Sequence, residues 1–575
     1  MLLVPYLLMA ALTFSISLFA QDPAQDQGQA AQPTTLDRTL ATLHGVVRNA
    51  ATGEALPRAL VRIEGDANTG ALTDGDGRFE IANIPVGPQH VSVQKPGFLD
   101  RGILPDGATS SVGQFLVAMP AGGHNILVAA EMPDVVFTLA STGAIRGQVQ
   151  LSTGEPAEGI AIALAQRTIQ EGRLLWQQSA TTKTRSDGTF RFGGLADGDY
   201  ALFSEPSMDS DLDGAPGGTG QRWGYASAYY PDAREPSGLT RIHVANGQET
   251  QANLSLTLEP FQAVTAAVLF PQGVPAERAG TNLSAAVLDN AGRQLPYQAQ
   301  YDEQSHSVQA ELPDGSYTLV VSSIPPQERR RGEGDFGTGV LAGSVDVTVA
   351  GRTVPNLRVA LSAPRPNPVQ LIVQRNAMSP MGAGPVEVQI SQASGWIDDS
   401  VVAEFANGVP PGPLETVYTR PGSYWVHTQN ERGLCEASFT AGGANLAREP
   451  VVLGFSGSAA SMELTLRDDC ASLQLSLPDT LDSIAAGEEP FFTVYAIPNF
   501  DSTSDVAPVT LRASTGGSVT LSGLTPGNYH VYTFAGAVEL AYRNRDALAA
   551  LANRGQAIAL SPGATGNLVV EALGQ

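Results

Sequence analysis

Leu195-Ala196-Asp197-Gly198-Asp199-Tyr200-Ala201-Leu202-Phe203 is a tight turn that runs straight into an apolar strand. Four variants recur along the chain. They are Ile84-Pro85-Val86-Gly87, Leu312-Pro313-Asp314-Gly315 with Tyr317, Arg420-Pro421-Gly422 with Tyr424, and Leu524-Thr525-Pro526-Gly527 with Tyr529. The glycines at 87, 198, 315, 422 and 527 lie 111, 117, 107 and 105 residues apart. A period of one small domain's length, marked by a turn and a strand, reads as β domains in tandem. The tyrosine two residues after the glycine reads as a corner residue, its ring in a core and its hydroxyl tying the turn.

Composition agrees. At 575 residues the chain exceeds a single core, glycine (61) and proline (39) are raised, and Lys95 and Lys183 are the only lysines. Such a palette favours strands and turns over surface helices. The formal net charge of −24 argues against nucleic acid or an anionic membrane as partner, because both need concentrated Lys and Arg.

The first two repeats carry a full set of strand blocks. Repeat one reads Leu43-His44-Gly45-Val46-Val47, then Leu60 to Ile63, then Asp74-Gly75-Asp76-Gly77-Arg78-Phe79-Glu80-Ile81, then His90 to Val93. Repeat two replays the order with Ile145-Arg146-Gly147-Gln148-Val149, Ile160 to Leu164, Asp187-Gly188-Thr189-Phe190 and Tyr200 to Phe203. Val61/Ile63 and Phe79/Ile81 alternate with polar residues, as in strands with one buried face. The Asp-Gly pairs are hairpin-turn chemistry. The later repeats keep the turn and a closing strand, which is seen at 247–258 in repeat two and again at 351–361 and 563–573. One segment, Arg545 to Ala552, is rich in helix formers and reads as a short helix against the final sheet.

The Gly-x-Val opening, the Asp-Gly-x-Phe hairpin and the turn before the next strand (Gly-x-Tyr in repeat two), in that order and twice in succession, resemble the carboxypeptidase regulatory-like domain. That resemblance implies a small transthyretin-like β-sandwich. The whole layout, including Tyr229-Tyr230-Pro231 before a closing strand, resembles multi-domain exported proteins of acidobacterial type, a family without an assigned activity. Related sandwiches of the Cna-B type carry Lys–Asn isopeptide bonds, which repeats three to five cannot form because they hold no lysine.

Residues Leu2 to Ala20 form an apolar stretch ending at Ala20-Gln21, followed by a polar Gln/Ala/Asp/Pro segment. This reads as a cleaved signal peptide, although it lacks a basic start. No other apolar run reaches the length of a membrane-spanning helix, so no transmembrane span is expected in the mature chain. In an exported protein the two cysteines, Cys435 and Cys470, are expected to form a disulfide closing a loop worth roughly 3–4 kcal/mol.

Catalytic patterns are missing from the sequence. The seven histidines are scattered, none in His-x-x-Glu or His-x-x-x-His spacing, and Gly454-Phe455-Ser456-Gly457-Ser458 ends in serine where a nucleophile elbow needs glycine. The candidate metal site is Asp209, Asp211 and Asp213 before Gly214, the start of an oxygen-rich calcium loop, but Gly220 stands where its bidentate glutamate belongs. The candidate ligand-binding cluster is Trp223, Tyr225, Tyr229 and Tyr230, rings suited to stacking on sugars; the competing reading is that they fill a core edge or a domain interface. Trp176, Trp396 and Trp425 stand isolated in sequence and read as structural. Arg329-Arg330-Arg331 reads as an exposed loop tip.

The prediction is an all-β chain: a tandem array of about five immunoglobulin-like or transthyretin-like β-sandwich domains after a signal peptide. The divisions are 1–20 signal peptide, 21–40 disordered linker, 41–140 and 141–260 carboxypeptidase regulatory-like domains, 261–363 and 364–468 degenerate sandwiches, and 469–575 a C-terminal sandwich with a short helix. Abrupt junctions such as Leu139 to Gly143 predict a semi-rigid rod. The expected function is non-catalytic: an exported structural or adhesion-type scaffold, periplasmic, envelope-associated or extracellular, with a glycan or a cell-envelope protein as partner. The alternative is a carbohydrate- or peptide-binding protein with its site in repeat two, assisted by Ca2+. An outer-membrane barrel receptor is disfavoured, because the long period does not match short transmembrane hairpins.

Overall fold

The computed structural model describes residues 40–64, 69–100, 116–118, 124–209, 221–272, 283–290, 292–323, 341–363, 367–377, 386–396, 405–408, 414–417, 420–430, 433–455, 461–477, 491–504, 506, 508–512, 517–535, 538–552 and 554–571. The expected signal peptide, most of the linker, Asp211, Asp213 and the Arg329–Arg331 run lie outside them.

The chain is all-β, as its turns predicted, and its sheets pair around separate apolar cores. One strand plan repeats. In the first sandwich Leu40–Asn49 runs antiparallel to Arg78–Pro85 and parallel to Val135–Ser141. In the second, Gly143–Leu151 runs antiparallel to Thr189–Leu195 and parallel to Glu249–Gln251 and Leu254–Leu256. The third, fourth and fifth open with Leu258–Leu269, Asn367–Gln374 and Ala471–Ser476, and these pair in parallel with the closing strands Val354–Ala360, Met462–Arg467 and Thr565–Val569. In every sandwich the strand after the turn glycine is an inner strand of the facing sheet: Gly87–Gln94, Gly198–Ser204, Gly315–Ser322, Gly422–Asn430 and Gly527–Ala535. The later repeats, degenerate in sequence, thus keep the topology in full.

The corner tyrosines act as expected. Each hydroxyl donates to the carbonyl four residues upstream: Tyr200 to Ala196 at 2.8 Å, Tyr317 to Pro313 at 3.1 Å, Tyr424 to Arg420 at 3.0 Å and Tyr529 to Thr525 at 2.7 Å. All four rings are buried, so the bond satisfies a polar atom that the core could not otherwise tolerate. Burial pushes the Tyr317 hydroxyl up to about 12.

The hairpins also follow the sequence. Asp74 Oδ1 accepts from the amides of Asp76 and Arg78 at 2.9 and 2.8 Å, and Asp187 Oδ1 from the amide and hydroxyl of Thr189 at 3.0 and 2.6 Å. Gly77 and Gly188 both sit at φ +74, and a Cβ there would come within 2.7 Å of the Val47 carbonyl oxygen or 2.5 Å of that of Val149. The expected helix is Arg545–Leu551, capped by Asn544, whose side chain accepts from the amides of Asp546 and Ala547.

The rod is overturned. A long hairpin of the second sandwich, Ala161–Gln170 with Arg173–Lys183, carries Glu171-Gly172 at its tip with both residues at positive φ. This tip reaches the fifth sandwich: the Arg543 amide donates to the Gly172 carbonyl at 2.9 Å, and Ile169 shares an apolar cluster with Ala541 and Ala547 of the helix region. The same hairpin meets the fourth sandwich, where the Trp176 amide donates to the Gly395 carbonyl at 2.9 Å and the Trp176 and Trp396 rings lie 6.1 Å apart. Neighbours also adhere. Phe455 packs on Leu288, Val320 and Ala342, and buried Glu436 accepts from Thr428 Oγ1 and the Thr503 amide at 2.6 and 2.7 Å. The array therefore doubles back, because the second sandwich has an extended hairpin whose apolar and backbone groups are satisfied only by the later ones.

Candidate functional site

The residues singled out by sequence separate in space. Asp209 follows the short strand Ser207–Met208; its amide donates to the Trp223 carbonyl at 2.9 Å, and Tyr225 Oη lies 3.5 Å from its Oδ2. Its proposed calcium partners Asp211 and Asp213 lie outside the described residues, and no group of three or more metal-ligating side chains occurs among the described ones.

The aromatic cluster does not form one platform. Tyr229, 4% exposed, stacks on Phe203 at 5.4 Å, meets Trp396 of the fourth sandwich at 6.4 Å, and its hydroxyl accepts from Arg293 Nη2 of the third at 3.0 Å. Tyr225 and Tyr230 pack on the second sandwich's core. Trp223, on the strand Arg222–Tyr225, is half-buried, and its Nε1 is shut off from solvent with no hydrogen-bond partner among the described residues. Of the four rings, then, Tyr229 serves an interface between sandwiches.

Sequence reasoning missed a polar constellation between sandwiches: Glu171, Ser391 and His427. Glu171 sits at the second sandwich's hairpin tip, Ser391 on Val386–Gln392 and His427 on Gly422–Asn430 of the fourth. His427 is 1% exposed; its Nε2 contacts the Glu171 carboxylate and lies 3.2 Å from Ser391 Oγ. Burial pushes the Glu171 carboxyl up, but the hydrogen bonds and charge of His427, with Ser391 and Arg543, outweigh it and leave the group below the usual carboxylate range. A hydrolytic triad needs its acid and its nucleophile on opposite ring nitrogens. Here both address Nε2, while Nδ1 is buried without a hydrogen-bond partner among the described residues. The trio therefore has the arrangement of an interface lock and lacks that of a proton relay. Its residues are 36 or more apart, and no local pattern in the sequence links them.

A cleft of about 670 Å³ on the first sandwich is lined by Leu40, Ala41, Thr42, His44, Asn83 and neighbours of Glu131. The disulfide Cys435–Cys470 is formed, as expected, with the Cα atoms 5.7 Å apart, and it links the fourth sandwich to the start of the fifth. No helix among the described residues is long and apolar enough to cross a membrane.

Comparison with known proteins adds a family for part of the chain. Residues 42–115, within the first repeat, match the carboxypeptidase regulatory-like domain. No curated protein matches in sequence. Among solved structures the chain is similar to a streptococcal ancillary pilin, at 12% identity over 56% of this chain and 99% of that one, with a TM-score of 0.18. It is similar also to the Bacillus anthracis TIE protein, at 10% identity over 93% and 69% with a TM-score of 0.15. The major pilin subunit of Bacillus cereus matches at 11% identity over 75% and 99%, with a TM-score of 0.13. At these values the likeness concerns the all-β fold and carries nothing about activity.

Proposed function

We propose that the chain is an exported, non-catalytic, multi-sandwich protein that serves as a structural or adhesion-type scaffold at the cell envelope or outside the cell. The observation that carries this reading is the use made of its chemistry-bearing residues. Glu171, Ser391, His427, Glu436, Tyr229 and Arg293 are spent on joining sandwiches to one another. The disulfide supports an oxidising compartment. Residues 141–260 are, on this reading, a second carboxypeptidase regulatory-like domain, since they share the strand plan of the first. On the same reading, 261–363, 364–468 and 469–575 are three further sandwiches, the third opening on the strand Leu258–Leu269. Protease shaving of intact cells, with release of the protein and loss of cell attachment in a deletion strain, tests the scaffold. Attachment and envelope integrity unchanged on deletion would sink it.

A second reading, a glycan-binding site in the second sandwich near Trp223 and Asp209 with calcium as helper, rests on Trp223 Nε1, which has no hydrogen-bond partner among the described residues. Glycan-array binding lost in Trp223→Ala and calcium-dependent melting would support it; binding that survives the substitution would remove it.

A further inference from the structure

We propose that the cleft where the second, fourth and fifth sandwiches meet binds a small carboxylate with an apolar body. The cleft measures about 430 Å³, within the range of small-molecule sites. Arg173, Arg448, Arg543 and Arg545 line it, against Asp501 as the one acidic residue among the described lining. Such a concentration of arginine stands out in a chain of net charge −24 with 33 basic residues. Because three sandwiches contribute, the cleft exists only in the doubled-back array.

The four arginines differ in what they already hold. Arg543 is committed: its guanidinium donates to the carbonyls of Glu171, Ser502, Thr503 and Ser504 at 3.1–3.3 Å. Arg448 is paired with Asp501 at 2.6 Å. Arg173 lies over Trp425, its guanidinium carbon 3.6 Å from the ring centroid, and its Nε is closed to solvent without a hydrogen-bond partner among the described residues. Burial and then the charge of Arg543 pull its pKa down to about 10, and the Glu171 carboxylate that opposes them is engaged by His427. Arg545 is exposed at the start of the helix. Two guanidinium groups are thus available, one of them half-buried and short of negative charge.

That shortage is what a bound anion relieves. A carboxylate matches the planar fork of arginine, and the bond strengthens where water is excluded. Beside Ser502 and Ser504, the cleft has an apolar wall of Ile497, Phe500, Val506, Tyr542 and Leu548. A bare inorganic anion would leave this surface uncovered, whereas a carboxylate on a ring would bury it. The chemistry selected is therefore an aryl or similarly apolar carboxylate. This site is separate from the Trp223 region and does not depend on the scaffold reading.

The test is calorimetric and NMR titration of the whole mature chain with benzoate, with uncharged benzamide and with inorganic phosphate. Saturable benzoate binding is expected, at least about tenfold tighter than benzamide and weakened about tenfold or more in Arg173→Gln and in Arg545→Gln. Arg545 is exposed, so its variant keeps the test readable if Arg173→Gln disturbs the junction. Equal binding of benzamide, or benzoate binding unchanged in Arg545→Gln and Arg173→Gln, overturns the proposal. Phosphate binding as tight as benzoate overturns the apolar half of it.

Discussion

Replacing Tyr424 by phenylalanine removes a single oxygen and leaves the ring, which makes it a sharp probe of the corner that defines each sandwich. The Tyr424 side chain is 0% exposed and its hydroxyl donates to the Arg420 carbonyl at 3.0 Å. Losing the bond forfeits about 1 kcal/mol net, and the carbonyl left behind adds part of its desolvation cost, so about 1–2 kcal/mol is expected. For a unit of this size that corresponds to a fall in Tm of roughly 5–10 °C. A further effect follows from Arg420 itself, which is buried and donates through Nη1 to Gln294 Oε1 of the third sandwich at 2.9 Å. Loosening the corner loosens that contact too. Scanning calorimetry of the whole chain gives the readout, with the fourth sandwich's transition identified as the one that moves when Cys435–Cys470 is reduced. Tyr424→Ala, which also empties the ring site, is expected to cost about 3–5 kcal/mol. If Tyr424→Phe melts like the parent while Tyr424→Ala does not, the hydroxyl has no structural role and the corner argument fails at all four positions.

Other consequences can be measured on the same protein. Cys435→Ser with Cys470→Ser is expected to destabilise the fourth sandwich by about 3–4 kcal/mol, less any strain released; thiol assay of the denatured, unreduced parent is expected to find no free thiol. Small-angle scattering of the parent is expected to show a particle shorter than five sandwiches end to end. Ile169→Asp, which puts a charge between Ala541 and Ala547, is expected to lengthen it; an extended parent would refute the doubled-back array. Acid is expected to open the same junction. The folded pKa of Glu171 lies below its ordinary value, so its contribution is present above the unfolded pKa of about 4.3 and is lost as pH falls through the folded value. The loss of Tm between pH 6 and pH 3 should therefore shrink in Glu171→Gln, and an unchanged difference would count against the pair.

What could be read without coordinates was whatever depends on neighbours in sequence. The Asp-Gly hairpins, the alternation of Phe79 with Ile81, the corner tyrosines and the Arg545 helix are set by backbone conformation and burial period within a few residues, and each occurs where the sequence placed it. The cysteine pair was legible because only two cysteines exist. Tertiary structure alone decided how the sandwiches sit together. Trp176 and Trp396, isolated in sequence, face each other across two sandwiches, and Arg543 bonds the Glu171 carbonyl 372 residues away. No local period encodes such a pairing. It depends on the orientation of whole rigid sandwiches and on the reach of one hairpin, quantities fixed by the sum of many contacts. The turns thus determined what the units are, and the packing of the second sandwich on the fourth and fifth determined the shape, the polar lock and the arginine-lined cleft.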